Sequence, residues 1–371
     1  MNFTAIICEL NPLTIGHKKI IEEAKKLTNN PIICIMSGNF VQRGEPAILD
    51  KYTRANLAIN AGADIVIELP TIFALSSAPD FAFGAIKFLN CIKNIEYLCF
   101  GSECGDINTL YKLLDKTNSS SNNPAKTIID SGISVATAQC AVLGDYAKPN
   151  NILGIEYLKS IKRTNSHIRP LTIKREDNYK DNIINYTASA TALRKLIKEE
   201  NFNELSKLAP QLNGINPLEY SNISTFYKIL EYSIKTSNTF DLEKINGVSE
   251  GIENRIYNAY NQTLDPIKTI ITKRYPEGKV KRILCCSLLK ITKELINNAK
   301  ETDCTYLKVL AVKNKKFLSF LPNEKLVIKK EDYTKLNTNQ LNVINVDLLA
   351  SKIYSCINTS YPPASDFTNK L

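Results

Sequence analysis

The sequence predicts an α/β chain: a Rossmann-like doubly wound parallel sheet followed by a mainly α-helical domain. Three observations predict it. Short Ile- and Val-rich runs at 5–10, 32–36, 65–69 and 95–100 alternate with segments of helical period at 18–27, 52–61 and 81–91. Strands separated by helices pair in parallel beneath helical cover. The first run empties into Asn11-Pro12-Leu13-Thr14-Ile15-Gly16-His17, a polar strand-to-helix loop. After residue 200, strand-like runs become scarce and the helical period takes over.

Each run is bounded by residues that stop it. The strand at 5–10 gives way at Asn11-Pro12, and the one at 32–36 lies between Pro31 and Gly38. The strand at 65–69 ends at Pro70, and that at 95–100 ends at Gly101; Gly, Pro and Asn punctuate strands in this way. Helices are expected at 124–142 and 152–161, then a strand at 168–173 and a helix at 191–199. The second half should be helical at 223–234, 248–260, 267–275 and 283–295, with β-like patches at 307–312 and 317–320 and a last helix near 346–356. The chain thus divides into a Rossmann-like unit, 1–200, and a helical unit, 201–371.

A chain of 371 residues is long enough for two domains or for one with a large appendage. No stretch reaches the run of about 18 apolar residues that a membrane span needs, and no basic segment precedes Phe3, so neither a membrane anchor nor a signal peptide is expected. The ten cysteines are scattered without a CxxC pair. That pattern argues against a zinc site or a disulfide framework and for reduced thiols in a cytoplasm. Net charge is +10, and the basic residues are uneven: nine lie between 268 and 300 against two acidic ones. Such a cluster suits a phosphate backbone, and Tyr275 inside it is expected to stack on a base.

The loop at 11–17 carries the sharpest chemistry. It aims free backbone N–H groups and the positive end of a helix at its occupant, and phosphate is the usual one. Gly16 lets a nucleotide approach the backbone, and His17 donates a hydrogen bond to a phosphate oxygen. The form is T/HxGH, as in nucleotidylyltransferases and class I aminoacyl-tRNA synthetases. Other polar stretches fall at strand ends and should converge on the same place: residues 37–46, Gly101, the Asn150-Asn151 pair, Arg175, and the helix start bearing Ser189, Thr191 and Arg194. No GxGxxG follows any strand, which counts against a dinucleotide.

These residues, with the blocks at 36–47, 62–70, 100–103 and 149–154, and later Glu250-Gly251, Asn254-Arg255 and Thr272-Lys273-Arg274-Tyr275, resemble the bacterial tRNA(Met) cytidine acetate ligase family over most of the chain. The resemblance implies an ATP-dependent ligase. Acetate attacks the α-phosphate of ATP to give acetyl-adenylate, and the N4 amine of the wobble cytidine of elongator tRNA(Met) then takes the acetyl group. It assigns ATP to Ile7, Cys8, Glu9, Leu10, Asn11, Pro12, Leu13, Thr14, Ile15, Gly16, His17, Lys18, Lys19 and Ile20, with Gly101, Asn151 and Arg175. Ser189, Thr191 and Arg194 hold the pyrophosphate end, and His17 and Thr14 act in catalysis. Mg2+ is expected with the ATP phosphates rather than in a protein metal site. Lys273, Arg274, Lys281 and Arg282 are the expected tRNA contacts, and neither a membrane nor an obligate protein partner is implied. The family usually carries histidine where this chain has Thr14; related pantetheine adenylyltransferases use threonine there. Two rival readings stand beside this one: a nucleotidylyltransferase of a small phosphorylated metabolite, and a tRNA-binding homologue whose chemistry the Thr14 change has weakened.

Overall fold

In the computed structural model of the chain, which describes residues 1–118, 140–175 and 188–368, nine strands form: β1 (Phe3–Cys8), β2 (Ile32–Ser37), β3 (Phe40–Val41), β4 (Glu45–Pro46), β5 (Ile65–Leu69), β6 (Ile95–Ser102), β7 (Arg169–Lys174), β8 (Leu307–Val312) and β9 (Leu326–Val327). Seven of them make one sheet in the order β7-β6-β1-β2-β5-β8-β9, while β3 and β4 pair in a small hairpin. All neighbours in the large sheet are parallel except β5 and β8. The sheet therefore takes two strands from beyond residue 200.

The apolar runs are continuous because both faces are covered. Along β1, Ala5 and Ile7 face one core and Ile6 faces the other, as the two-residue period of a strand requires. Helices Ile15–Thr28 and Lys51–Asn60 cover the second face with Ile21, Ala24, Ala55 and Ala58. Helices Ala78–Leu89 and Pro149–Arg163 cover the first, together with Thr338–Ile357 from the C-terminal half. A buried charge cluster adds to this junction. Lys51 Nζ lies 2.9 Å from Glu68 and 2.5 Å from Asp366, and Lys308 Nζ lies 3.2 Å and 2.5 Å from the same two carboxylates. Charges taken out of water in this way must be paired.

Several expected elements differ. The stretch 317–320 is a 3-10 helix, Lys315–Phe320, whose two phenylalanines stand edge-on to Phe3; apolar content alone did not separate this from a strand. The helix expected at 267–275 is only Pro266–Ile270, because Thr272 and Tyr275 exchange backbone hydrogen bonds in a turn ahead of Pro276. The segment 283–295 belongs to two helices, Glu277–Leu288 and Lys293–Glu301, parted by Lys290 in the left-handed region and by the Thr292 cap. The helix expected near 346–356 starts at Thr338, where Asn337 and Gln340 form a reciprocal cap, and a short helix, Ser365–Thr368, follows it. The helix expected at 124–142 lies outside the described residues up to position 139.

Candidate active site

The sheet order reverses at β1: the chain proceeds outward through β2 and β5, then returns to place β6 and β7 on the other side. A crevice opens at the carboxyl ends of the strands at such a point. A cleft of about 790 Å³ lies there. Ile7, Cys8, Glu9, Leu10, Asn11, His17 and Ile20 line it from the first strand, loop and helix, and Gly101 and Arg175 from the ends of β6 and β7. Ser189, Thr191 and Arg194 close another side.

Local geometry fixes the histidine. Leu10 leaves β1 in the left-handed region, φ 49°, and the Asn11-Pro12 bond is cis. Thr14 is the N-cap of helix Ile15–Thr28, its Oγ1 accepting the His17 N–H at 3.2 Å. In return His17 Nδ1 accepts the Thr14 N–H at 3.1 Å and lies 3.0 Å from Oγ1. A ring nitrogen that accepts an N–H carries no proton, so the neutral ring holds its proton on Nε2. Burial, and then the Arg175 guanidinium, lower the pKa of His17 to about 4. The ring is neutral at pH 7, with Nε2 as its donor.

Arginines share the cleft with this donor. Arg175 is held by its N–H to Ser102 O at 2.8 Å, and its Nη1 lies 3.4 Å from Asn150 Oδ1. Gly101 is closely approached, since an added Cβ would stand 3.0 Å from both Arg175 Cγ and Ile20 Cδ1. Arg194 donates to Asn11 O at 2.6 Å and to Thr191 Oγ1 at 3.2 Å, and its helix is capped by Ser189. Asn11 Oδ1 is bound by the Ile48 N–H at 2.7 Å, whereas Asn11 Nδ2 is buried without a partner among the described residues. That orphaned donor and the nearby helix N-terminus fit a phosphate chain. Among the described residues no group of three metal-ligating side chains is present.

Pro12, Leu13, Thr14, Ile15, Gly16, Lys18 and Lys19 shape the loop and helix but stand outside the cleft lining. Thr14 is buried and engaged with His17. Asn151 also turns away: its Oδ1 accepts the Cys104 N–H at 3.1 Å and its Nδ2 donates to Tyr146 O at 3.2 Å. Its neighbour Asn150 lines the cleft instead. The four basic residues expected at tRNA divide into two pairs. Lys281 and Arg282 line this cleft, while Arg274, beside Lys273, lines a second groove and pairs with Glu250. Tyr275 is not free to stack, being buried with its hydroxyl 2.5 Å from Ser249 O and Lys279 over its ring.

Sequence reasoning missed Arg54. Fully buried on helix Lys51–Asn60, it donates to Leu49 O at 2.9 Å, Glu9 O at 2.6 Å, Ser37 O at 3.0 Å and Gly38 O. It thereby ties the ends of β1 and β2 together beneath the cleft. Its place in an amphipathic helix gave no sign of this. The loop 37–46 falls beside the cleft as its place at a strand end predicts, but its contacts leave no mark in the sequence: Gln42 N–H binds Glu9 Oε1 at 2.7 Å, and Gln42 O accepts from Arg282 at 3.2 Å. Gly44, φ 77°, permits that approach, because a side chain there would collide with the Lys281–Arg282 backbone.

Residues 1–368 match the family model of the HIGH Nucleotidyl Transferase. The chain is 39% identical to the tRNA(Met) cytidine acetate ligase of Clostridium botulinum (strain Langeland / NCTC 10281 / Type F), over 97% of this chain and 95% of that protein. It is 35% identical to the enzyme of the same name from Clostridium perfringens (strain SM101 / Type A), over 99% and 98%. Its fold superposes on the crystal structure of Thermotoga maritima TmcAL bound with alpha-thio ATP at a TM-score of 0.88, with 27% identity over 100% of this chain and 98% of that one. The chain belongs to the HIGH nucleotidyl transferase family and, at this likeness over nearly its whole length, to the tRNA(Met) cytidine acetate ligases.

Proposed function

We propose that the protein is an ATP-dependent ligase that activates acetate as acetyl-adenylate and transfers the acetyl group to N4 of the wobble cytidine of elongator tRNA(Met). The observation that carries this reading is the neutral His17, held as an Nε2–H donor at a helix N-terminus inside a nucleotide-sized, cation-lined cleft. In-line displacement at phosphorus is mainly positioning and charge neutralisation, so the enzyme needs donors rather than a covalent nucleophile. His17, Asn11 and Arg175 supply donors for the phosphates. Ser189, Thr191 and Arg194, which line one side of the cleft, are assigned to the departing pyrophosphate, and Lys281 and Arg282 line it from the helical half, where tRNA is expected to enter. Thr14 acts through His17 by capping its helix and fixing its ring.

The carboxylate of acetate attacks the α-phosphorus and pyrophosphate leaves. The cytidine amine then attacks the acetyl carbonyl, AMP leaves, and the amine proton passes to solvent or to the phosphate. AMP is a good leaving group, so no strong general base is required. Mg2+ would ride on the ATP phosphates and water, neutralising charge there. A Thermotoga maritima relative crystallised with alpha-thio ATP supports the nucleotide assignment. The free thiols and the tRNA substrate suit a cytoplasmic site of action; no helix among the described residues is long and apolar enough to cross a membrane.

The test uses purified protein, ATP, Mg2+, radiolabelled acetate and a panel of unmodified tRNAs. Label is expected only in elongator tRNA(Met), on its wobble cytidine. Pyrophosphate exchange with a phosphate ester instead of acetate would replace this reading with the metabolite nucleotidylyltransferase. Binding of tRNA without exchange would leave a weakened homologue.

A further inference from the structure

A second groove, of about 720 Å³, opens in the helical half between helix Ile252–Gln262, the short helix Pro266–Ile270 and the turn at 272–275. One wall carries three side-chain amides, Asn254, Asn258 and Gln262, each four residues from the next on the same helix. That spacing sets them in line about 6 Å apart. Asn254 donates to Glu253 at 2.9 Å. The exposed amides of Asn258 and Gln262 have no hydrogen-bond partner among the described residues. On the same helix, one residue past Asn254, Arg255 is anchored by Nε to Thr269 O at 3.0 Å, and Arg274 stands at the rim against Glu250. Lys268 and Lys273 flank the groove on exposed positions.

We propose that this groove takes an unpaired stretch of the RNA substrate, with Asn258 and Gln262 reading base edges beside the Arg255 guanidinium. The inference rests on the reading that RNA is the acetyl acceptor. A side-chain amide offers one donor group and one acceptor, the complement of a base edge, and that edge is exposed only where a base is unpaired. Stacked bases on one strand lie about 3.4 Å apart. Amides about 6 Å apart therefore match splayed loop nucleotides better than a stacked helix.

Continuity with the cleft points the same way. Thr272, Arg274 and Tyr275 border the groove, and Glu277, Gly278, Lys281 and Arg282 line the cleft. One helix start serves both, and at about 1.5 Å per residue Lys281 lies only about 6 Å along the axis from Glu277. A loop seated in the groove can thus extend a nucleotide toward the cleft along this edge.

The test uses the full chain with Asn258→Ala, Gln262→Ala and the double variant. Each single change is expected to raise the Kd and the KM for an unmodified elongator tRNA(Met) transcript roughly tenfold. The turnover number and acetate-dependent ATP–pyrophosphate exchange should stay at wild-type values, and the exchange also certifies the fold. The slope of binding against salt should not change, because an amide neutralises no phosphate. By contrast, Lys273→Glu with Arg274→Glu should weaken binding and flatten that slope. A double amide variant that binds the transcript as tightly as wild type, while the charge reversal weakens it, overturns the groove assignment and leaves the ligase intact. Failure of the wild-type protein to acetylate any tRNA would instead remove the function on which the assignment rests.

Discussion

Replacing His17 by alanine removes a donor from the cleft and an acceptor from the helix cap, and the two losses separate by measurement. The donor is Nε2–H, left by the Nδ1 bond to the Thr14 N–H at 3.1 Å. Loss of one preorganised transition-state donor costs about 3 kcal/mol, a hundredfold or more in rate. The acceptor loss strands the N–H of Thr14, a residue only 6% exposed, at a cost of about 1 kcal/mol in stability. His17→Gln should restore the cap, since glutamine at the third helical position reaches back to the N-cap N–H, yet it does not recreate the imidazole donor. Acetate-dependent exchange of labelled pyrophosphate into ATP, without tRNA, reads the chemistry, and denaturant unfolding reads the cap. The expected result is exchange depressed about a hundredfold in both variants, with stability recovered only in His17→Gln. Exchange within threefold of wild type in His17→Ala removes the histidine from the mechanism. Full recovery of exchange in His17→Gln means that the cap, not the donor, was what mattered.

Thr14→Ala should lower stability by about 1 kcal/mol as a lost N-cap while reducing exchange less than tenfold, because the backbone N–H still fixes Nδ1; a hundredfold loss would put the hydroxyl on the phosphates. His17 also has a pH signature. Its folded pKa, about 4, lies below the ordinary value of about 6.5, so between those values the unfolded chain binds a proton that the folded chain refuses. Stability should therefore fall as pH drops from about 6.5 toward 4, and that contribution should be absent above 6.5 and missing in His17→Gln. The imidazole nitrogen shifts of His17 test it directly, and titration near 6.5 contradicts the buried, neutral ring. Arg54→Met should strand three buried carbonyls and the half-buried Glu9 carbonyl, each buried one worth about 1–3 kcal/mol when unsatisfied, and yield little soluble protein; a variant with wild-type stability would show that water replaces the guanidinium.

The alternation of strands and helices was legible because it is local: each β run is apolar on both faces and bounded by Pro, Gly or Asn, and β1, β2, β5 and β6 formed within a few residues of expectation. The short elements of the helical half were not, since Pro266–Ile270 is ended by the turn that Thr272 and Tyr275 close. The placement of β8 beside β5 was also invisible, because antiparallel pairing across about 240 residues leaves no mark on either strand. In the site, the strand-end rule brought His17, Gly101, Arg175 and Arg194 together. It gave no means of choosing Asn150 over Asn151, because which of two adjacent residues on a helix faces the cleft depends on a one-residue rotation of about 100°. Arg54 was hidden because its partners are backbone carbonyls, which have no sequence identity.

The same geometry predicts that threonine at position 14 is compatible with the proposed chemistry. The donors assigned to the nucleotide in the proposed function are Asn11 Nδ2, His17 Nε2 and Arg175, and Thr14 is not among them. Its contributions are a backbone N–H, which any residue but proline provides, and a side-chain oxygen that caps the helix. Threonine is favoured at an N-cap. The departure from the family's usual histidine therefore alters how firmly the first helical turn and the His17 ring are held, while the donor set stays intact. Because that turn holds His17 in the cleft while Asn258 and Gln262 lie in the separate groove, loosening it should be felt in acetate activation before it is felt in RNA binding, which is the order in which Thr14 variants should lose activity.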